Sequence, residues 1–213
     1  MVGFLVTGPS VLDRAFYNRP TLTVLEALIG KVLVHTVRGR RTAGVIVEAE
    51  AYIGEDDPAC HAAPGPTPRN APLYGPPGRA YVYLNYGIHE LVNAVTEPQG
   101  SPAAVLIRAL DPVEGVDLMC RRRGKQPSVA RDARLRARLC QGPGNLTVSL
   151  AITRTRNGAD LTGGPLEIED HGIAPPDLSW SPRIGIRVGT DKRWRCAWAG
   201  HAAVSKSLSV RGR

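Results

Sequence analysis

The chain has 213 residues, 43% hydrophobic and 22% charged, which is the balance of a soluble globular protein long enough to bury a core without disulfide or metal staples. No apolar run approaches the roughly 20 residues that span a bilayer, and Met1–Thr7 lacks the basic and long apolar regions of an export leader, so a cytoplasmic protein is expected. Lys and Arg total 27 against 19 acids, a net charge of +8, which makes a polyanion the expected partner, nucleic acid first. Cys60, Cys120, Cys140 and Cys196 are scattered without C-x-x-C spacing. Reduced thiols are expected, and the spacing predicts no zinc site.

In chain order, Thr21 to Ile29 reads as a short helix with Thr21 as its cap and Gly30 just past its end. Lys31 to Val37 alternates and reads as a strand. After an Arg38-Gly39-Arg40 turn comes a second strand, about Thr42 to Tyr52, and the two are expected to pair as an antiparallel hairpin. Strict alternation puts Val47, Ala49 and Ala51 on one face and Ile46, Glu48, Glu50 and Tyr52 on the other. Two carboxylates on one face of an apolar strand are costly to bury unpaired, so that face is either solvated or lines a site. Asp57-Pro58 signals a brief helix start, stopped by Pro64-Gly65-Pro66-Thr67-Pro68.

Ala80 to Leu84 reads as a strand carrying Tyr81 and Tyr83 on one face. Asn85-Tyr86-Gly87 is the expected hairpin tip, with Asn and Gly supplying positive φ, and Ile88 to Thr96 is the return strand. Tyr86 is badly placed for a core and well placed to enter a base stack or a partner's pocket. Ala103 to Ala109 is an apolar strand interrupted by Arg108, whose permanent charge needs a partner. That partner is a structural Glu48 or Glu50, or a carboxylate or water at a site. Gly115 to Arg123 reads as a helix. From Arg121 to Arg138 eight basic residues stand against one acid, Asp132. An apolar run follows Gly142-Pro143-Gly144 as far as Ile152. The last third reads as strands at Leu166 to Glu169, Arg183 to Val188 and Trp194 to Trp198, with a turn at Asn157-Gly158. No repeat or linker divides the chain, so one mixed α/β (α+β) domain over residues 1–213 is expected.

Several of these segments recur together in one known family. The order Glu48-Ala49-Glu50-Ala51-Tyr52-Ile53-Gly54, His61, Thr67-Pro68-Arg69-Asn70, Tyr81-Val82-Tyr83 with Tyr86-Gly87, Asn93, Val105 to Pro112, and Leu139-Cys140-Gln141-Gly142-Pro143 closely resembles the alkyladenine (3-methyladenine, or methylpurine) DNA glycosylases. The resemblance runs from about Leu12 to Val210. It implies a compact domain with a curved antiparallel sheet flanked by helices and a protruding β-hairpin. It implies a monomeric, monofunctional base-excision enzyme with no metal or organic cofactor, acting on double-stranded DNA that contains damaged purines.

By the same resemblance Glu50 is the base that activates water, and Arg108 lies beside that water. Tyr52, His61 and Tyr83 line the pocket for the extruded base, and Asn93 at its floor hinders normal guanine. Tyr86 is the wedge that replaces the extruded base. Arg69 and Arg79 are implied backbone contacts. Glu48 receives no role beyond possible support of Arg108 or Asn70. No lysine is placed for Schiff-base attack, so water is the expected nucleophile. The chain departs from the mammalian members at Ile88-His89-Glu90 and most of all across Arg121 to Arg138. A non-catalytic nucleic-acid-binding protein and an O-glycoside hydrolase using Glu48 and Glu50 are the alternatives. The lesion, among 3-methyladenine, 7-methylguanine, hypoxanthine and ethenoadenine, is left open.

Overall fold

A computed structural model describes residues 8–173 and 177–206; Met1–Thr7 and the end of the resemblance at Val210 lie outside the described residues. In chain order the elements are β1 (Ser10–Val11), α1 (Arg14–Tyr17), α2 (Thr21–Leu28), β2 (Val32–Val37), β3 (Arg40–Ile53), β4 (Ala80–Asn85), β5 (His89–Val95), β6 (Ala103–Glu114), α3 (Val116–Arg122), α4 (Ala133–Ala137), α5 (Pro143–Leu150), β7 (Leu166–Asp170), β8 (Leu178–Ser181) and β9 (Arg195–Trp198). The strands form one antiparallel sheet in the order β1-β7-β2-β3-β6-β5-β4, with β9 added to β3 and β8 to β9. The sheet does not close into a barrel, and the helices sit against it in one compact mixed α/β domain. Among the described residues no helix is long and apolar enough to cross a membrane.

The main core lies between the sheet and α2, α3 and α5. Val24, Leu25 and Leu28 of α2 and Leu146 and Leu150 of α5 are wholly buried there. Each such side chain contributes roughly 1.5–3 kcal/mol. Gly30 ends α2 at φ +91° as expected, but the cap differs. Pro20 precedes the helix, and the Thr21 hydroxyl bonds instead to Thr96 Oγ1 (2.8 Å) and Glu97 Oε1 (2.5 Å). The apolar run after Gly142 is a helix, α5, opened by Pro143 at its first position.

The central pair β3–β6 departs most from simple alternation. Ile46 pairs with Leu110, Glu48 with Ala109 and Ala49 with Ile107. Val47 on β3 and Arg108 on β6 are therefore extra residues in two opposed bulges. A bulge reverses the faces beyond it. Before it Ala43, Val45 and Val47 fill a second small core; beyond it Ala49 and Ala51 join Ile46 in the main core. Strict alternation had grouped Val47 with Ala49 and Ile46 with Glu48, and both groupings are corrected.

Three further expectations are corrected. Asp57-Pro58 opens no helix: Asp57 Oδ1 accepts from the Ala59 N–H (3.2 Å), but too few residues remain before the prolines to form a helix nucleus, and the chain runs in turns. Arg183 to Val188 is not a strand; Gly185 (φ +80°) and Gly189 (φ +61°) bend it, and the strand of this region is β8. At the β4–β5 tip the positive φ falls on Tyr86 (+49°) and Gly87 (+72°), while Asn85 stays in the strand.

The entry to α3 gives a stability test. Gly115 has φ +69°, and a Cβ there would lie 2.5 Å from the Arg41 carbonyl oxygen. Gly115→Ala should combine left-handed strain with a backbone clash and cost roughly 2 kcal/mol or more. Urea unfolding of the two proteins reads this directly.

Candidate active site

The two bulges turn Arg108 toward both acids of β3. Its Nε donates to Glu48 Oε1 (3.0 Å) and its Nη1 to Glu50 Oε2 (3.2 Å). Both carboxylates are fully buried, yet their surroundings differ. Glu48 also accepts from Arg195 Nε (2.8 Å) and from the Ser205 hydroxyl (2.9 Å) and N–H (2.6 Å). A carboxylate has about four acceptor sites; Glu48 receives four hydrogen bonds, three crowded on Oε1 and one on Oε2. Glu50 accepts from Arg108, from the Tyr52 hydroxyl (2.9 Å) and from the Ile184 N–H (2.7 Å). One acceptor site remains on it.

The acidities diverge accordingly. Burial pushes the Glu48 carboxyl up, but the charges of Arg108 and Arg195 and the Ser205 N–H more than offset it, and its pKa lies below the usual range. For Glu50 burial outweighs Arg108, the Ile184 N–H and Tyr52, and its pKa is raised.

Tyr52, Arg108 and Ile184, the three donors to Glu50, all line an open cleft of about 480 Å³. His61 and Tyr83 form part of its wall, and Asn85, Tyr86 and the 184–188 loop form its rim. Below lies a small chamber of about 30 Å³ with Cys60, Tyr81 and Asn93 in its lining, room for a water or two. Tyr52, His61 and Tyr83 border both spaces. The His61 and Tyr83 rings meet edge to face at 4.4 Å, and His61 Nδ1 lies 2.8 Å from the Tyr81 hydroxyl. Burial, with Arg69 nearby, lowers the His61 pKa, so the ring is neutral at pH 7. The Asn93 side-chain amide donates to the Tyr81 carbonyl (3.0 Å). Among the described residues no group of His, Cys, Asp and Glu is arranged to hold a metal ion.

Glu50, Arg108, Tyr52, His61, Tyr83 and Asn93 are thus gathered at one place. Tyr86 stands at the rim, 84% exposed, beside Ile88 at 73%. A left-handed φ on an exposed tyrosine is a strained conformation. Arg69 lies beyond Tyr83, its guanidinium 5.9 Å from that ring. Arg79 is elsewhere, near Asp160 (3.5 Å) and bonded to the Gly158 carbonyl. Glu48 supports Arg108; Asn70 instead braces its own loop through the His61 and Gly65 carbonyls.

Sequence reasoning missed the last third of the chain. Arg183 makes a fully buried pair with Asp57, stacks on Tyr52 (4.7 Å) and Trp194 (5.2 Å), and so fixes the Tyr52 wall. Arg195 interrupts an apolar strand just as Arg108 does, and the same reasoning would have flagged it. Ser205 carried no signal.

Comparison with known proteins follows from this geometry. A family model described as methylpurine-DNA glycosylase matches residues 15–202. The chain is 47% identical over 186 residues to a protein of Chlorobium phaeobacteroides, covering 86% of this chain and 89% of that one. It is 45% identical over 205 residues to one of Burkholderia lata (95% and 94%) and 47% identical over 200 residues to one of Methanocella arvoryzae (92% and 96%). All three are provisionally named 3-methyladenine DNA glycosylases.

The unequal carboxylates make a paired prediction. Glu48→Gln leaves Arg108 and Arg195 without their shared anion and should cost about 3–5 kcal/mol at pH 7. Glu50→Gln removes a carboxylate that is unfavourable to ionise and should leave stability unchanged or improved. The folded pKa of Glu48 lies below its unfolded value, so its stabilisation is present above the unfolded value and is lost as pH falls through the folded one. The gap between wild type and Glu48→Gln should therefore close in acid. Thermal unfolding from pH 7 downward measures both variants, and a Glu50→Gln protein clearly less stable than wild type would contradict the assignment.

Proposed function

From the premise that this chain belongs to the methylpurine-DNA glycosylase family, and so is a hydrolase of N-glycosyl bonds in DNA, we propose that it flips alkylated or deaminated purines out of duplex DNA and releases them with a water activated by Glu50. The observation that carries this reading is the single unfilled acceptor site of Glu50 behind a cleft lined by Tyr52, Arg108 and Ile184. A water bound there gives its proton to the carboxylate as its oxygen bonds to the sugar carbon. The glycosidic bond breaks, and its electron pair leaves with the base. A raised pKa makes Glu50 a stronger base than an ordinary glutamate. Arg108 holds the carboxylate in place and lies beside the water.

The wall chemistry supports purines of this class. 3-Methyladenine and 7-methylguanine carry positive charge in the nucleotide and leave as neutral bases, and the faces of Tyr52 and Tyr83 with neutral His61 favour an electron-poor ring. Hypoxanthine and ethenoadenine are neutral in the nucleotide and would leave as anions that take a proton from solvent water. Asn93, held at the chamber by the Tyr81 carbonyl, is the group that a guanine amino substituent would meet. Extruding a base costs stacking and pairing, and Tyr86 on its exposed tip would fill the gap. Arg69, and less directly Arg79, would bind backbone phosphates. No strand-cleaving lyase step is part of this reading; among the described residues no lysine lies in the cleft lining.

Two outcomes test this. Glu50→Gln should abolish base release from duplexes carrying any of the four lesions while duplex binding stays within a few-fold of wild type, and the wild-type single-turnover rate should rise with pH through the raised Glu50 pKa; equal release by both proteins would sink the role of Glu50. Tyr86→Ala should weaken binding to lesion-bearing duplex at least tenfold, as loss of one base–aromatic stack worth about 1–3 kcal/mol implies. Its affinity for single strands should change much less, and unaltered duplex affinity would argue against a wedge.

A further inference from the structure

The cleft makes no use of the most strongly charged stretch of the chain. Arg121 to Arg138 holds eight Lys and Arg against Asp132, a surplus of seven in a chain whose whole surplus is eight. The rest of the molecule is close to neutral. The basic character is concentrated in one lobe made of α3, the 3₁₀ turn Pro127–Arg131 and α4.

Within this lobe Arg121, Lys125, Arg131, Arg134 and Arg138 are exposed, and Arg122, Arg123 and Arg136 are half-buried. Among the described residues none of the eight forms an ion pair, although arginines elsewhere in the fold do so repeatedly. The one acid is occupied as the α4 cap, accepting from the Leu135 N–H (3.0 Å). Like charges gathered without counterions repel one another and oppose the compact state. A bound polyanion would remove that repulsion.

The lobe also adjoins the cleft. Arg123, Lys125 and Arg138 border a hollow of about 340 Å³ completed by Gln141 and Asn145. Pro143, between those two, lines the cleft itself. The next residue, Gly144, lies so close to His89 of the β4–β5 hairpin that a Cβ would sit 2.7 Å from the imidazole ring. Hairpin, α5 start and basic lobe therefore form one continuous surface.

We propose that this lobe is a second docking surface for the duplex, gripping backbone phosphates on one flank of the damaged nucleotide. The proposal rests on the reading of the cleft given above. Duplex DNA presents one negative charge per roughly 1.7 Å of axis, so a lobe beside the cleft meets several phosphates at once. The contact reads no sequence and adds affinity without touching the reacting atoms.

The test uses the full chain carrying Arg123→Gln, Lys125→Gln, Arg134→Gln and Arg138→Gln together. Affinity for a duplex with a central tetrahydrofuran abasic analogue is measured from 50 to 200 mM KCl. Each lost phosphate contact lowers the slope of log affinity against log salt by about 0.9. The slope should fall by about two to three, with affinity at 50 mM at least tenfold weaker. Single-turnover base release at saturating enzyme should be unchanged. Shortening the duplex arm on one side of the lesion should weaken wild type and leave the variant unaffected. A wild-type slope and arm dependence in the variant would overturn the proposal. If the fourfold variant melts early, the exposed pair Lys125→Gln and Arg134→Gln replaces it, with an expected slope loss of about 1.8. Absence of base release from every damaged duplex by wild type, with the slope change still present, would defeat the reading of the cleft and leave the lobe standing.

Discussion

The interaction on which the site depends is the guanidinium of Arg108 held between two buried carboxylates. A guanidinium cannot shed its charge, and a carboxylate buried without a partner would neutralise. Arg108 resolves both by bonding Glu48 and Glu50 together. It can do so because it is the extra residue of a bulge and not a regular rung of the β3–β6 ladder. Adding Arg195 gives two cations and two anions, a balanced set inside the protein. The balance is not shared evenly. Glu48 has two guanidiniums and four donated hydrogen bonds; Glu50 has one guanidinium and three. One acid is a structural counterion as a result, and the other is left poised.

The last third of the chain makes this asymmetry possible. β9 brings Arg195 to Glu48, Ser205 closes over the same carboxylate, and the bent 184–188 loop aims one N–H at Glu50. The bend explains why Arg183 to Val188 is no strand: the Ile184 N–H is committed to a side chain, not to a neighbouring backbone. Arg183, paired with Asp57 and stacked on Tyr52 and Trp194, fixes the angle at which that loop meets the tyrosine. Side chains far apart in sequence thus set the direction of a single carboxylate.

How much of this was legible in sequence follows from range. The β2–β3 hairpin, the β4–β5 hairpin and α2 announce themselves because turn glycines and short apolar periods act locally. The gathering of Glu50, Tyr52, His61, Tyr83, Asn93 and Arg108 followed from family resemblance and not from periodicity. Alternation did place Glu50 and Tyr52 on one side, since no bulge separates them. It failed one step earlier, at Val47, because a bulge is chosen by the partner strand and leaves no mark in the strand's own pattern. The Asp57 turn was misread for another reason: the cap bond from the Ala59 N–H forms, but the prolines that follow leave no room for a helix, and the same carboxylate pairs with an arginine 126 residues away. Tyr86 reverses the usual expectation at a tip, where Asn85 would tolerate positive φ more cheaply, and the strained tyrosine is the most exposed large hydrophobic among the described residues.

Charge placement then links stability to the proposed chemistry. A base of raised pKa requires that few uncompensated cations lie near it, since each would favour the ionised form and weaken it as a base. DNA affinity requires the opposite, a surplus of cations close to phosphates. One cleft cannot satisfy both at short range. The fold divides the demands: the Arg108 charge beside Glu50 is paired, and a net seven of the chain's eight surplus charges stand in the Arg121–Arg138 lobe. The lobe adjoins the cleft through the start of α5, so one duplex can touch both. On this view the paired charge beside Glu50 and the excess charge of the lobe answer separate demands, so neutralising the lobe costs affinity and leaves base release intact.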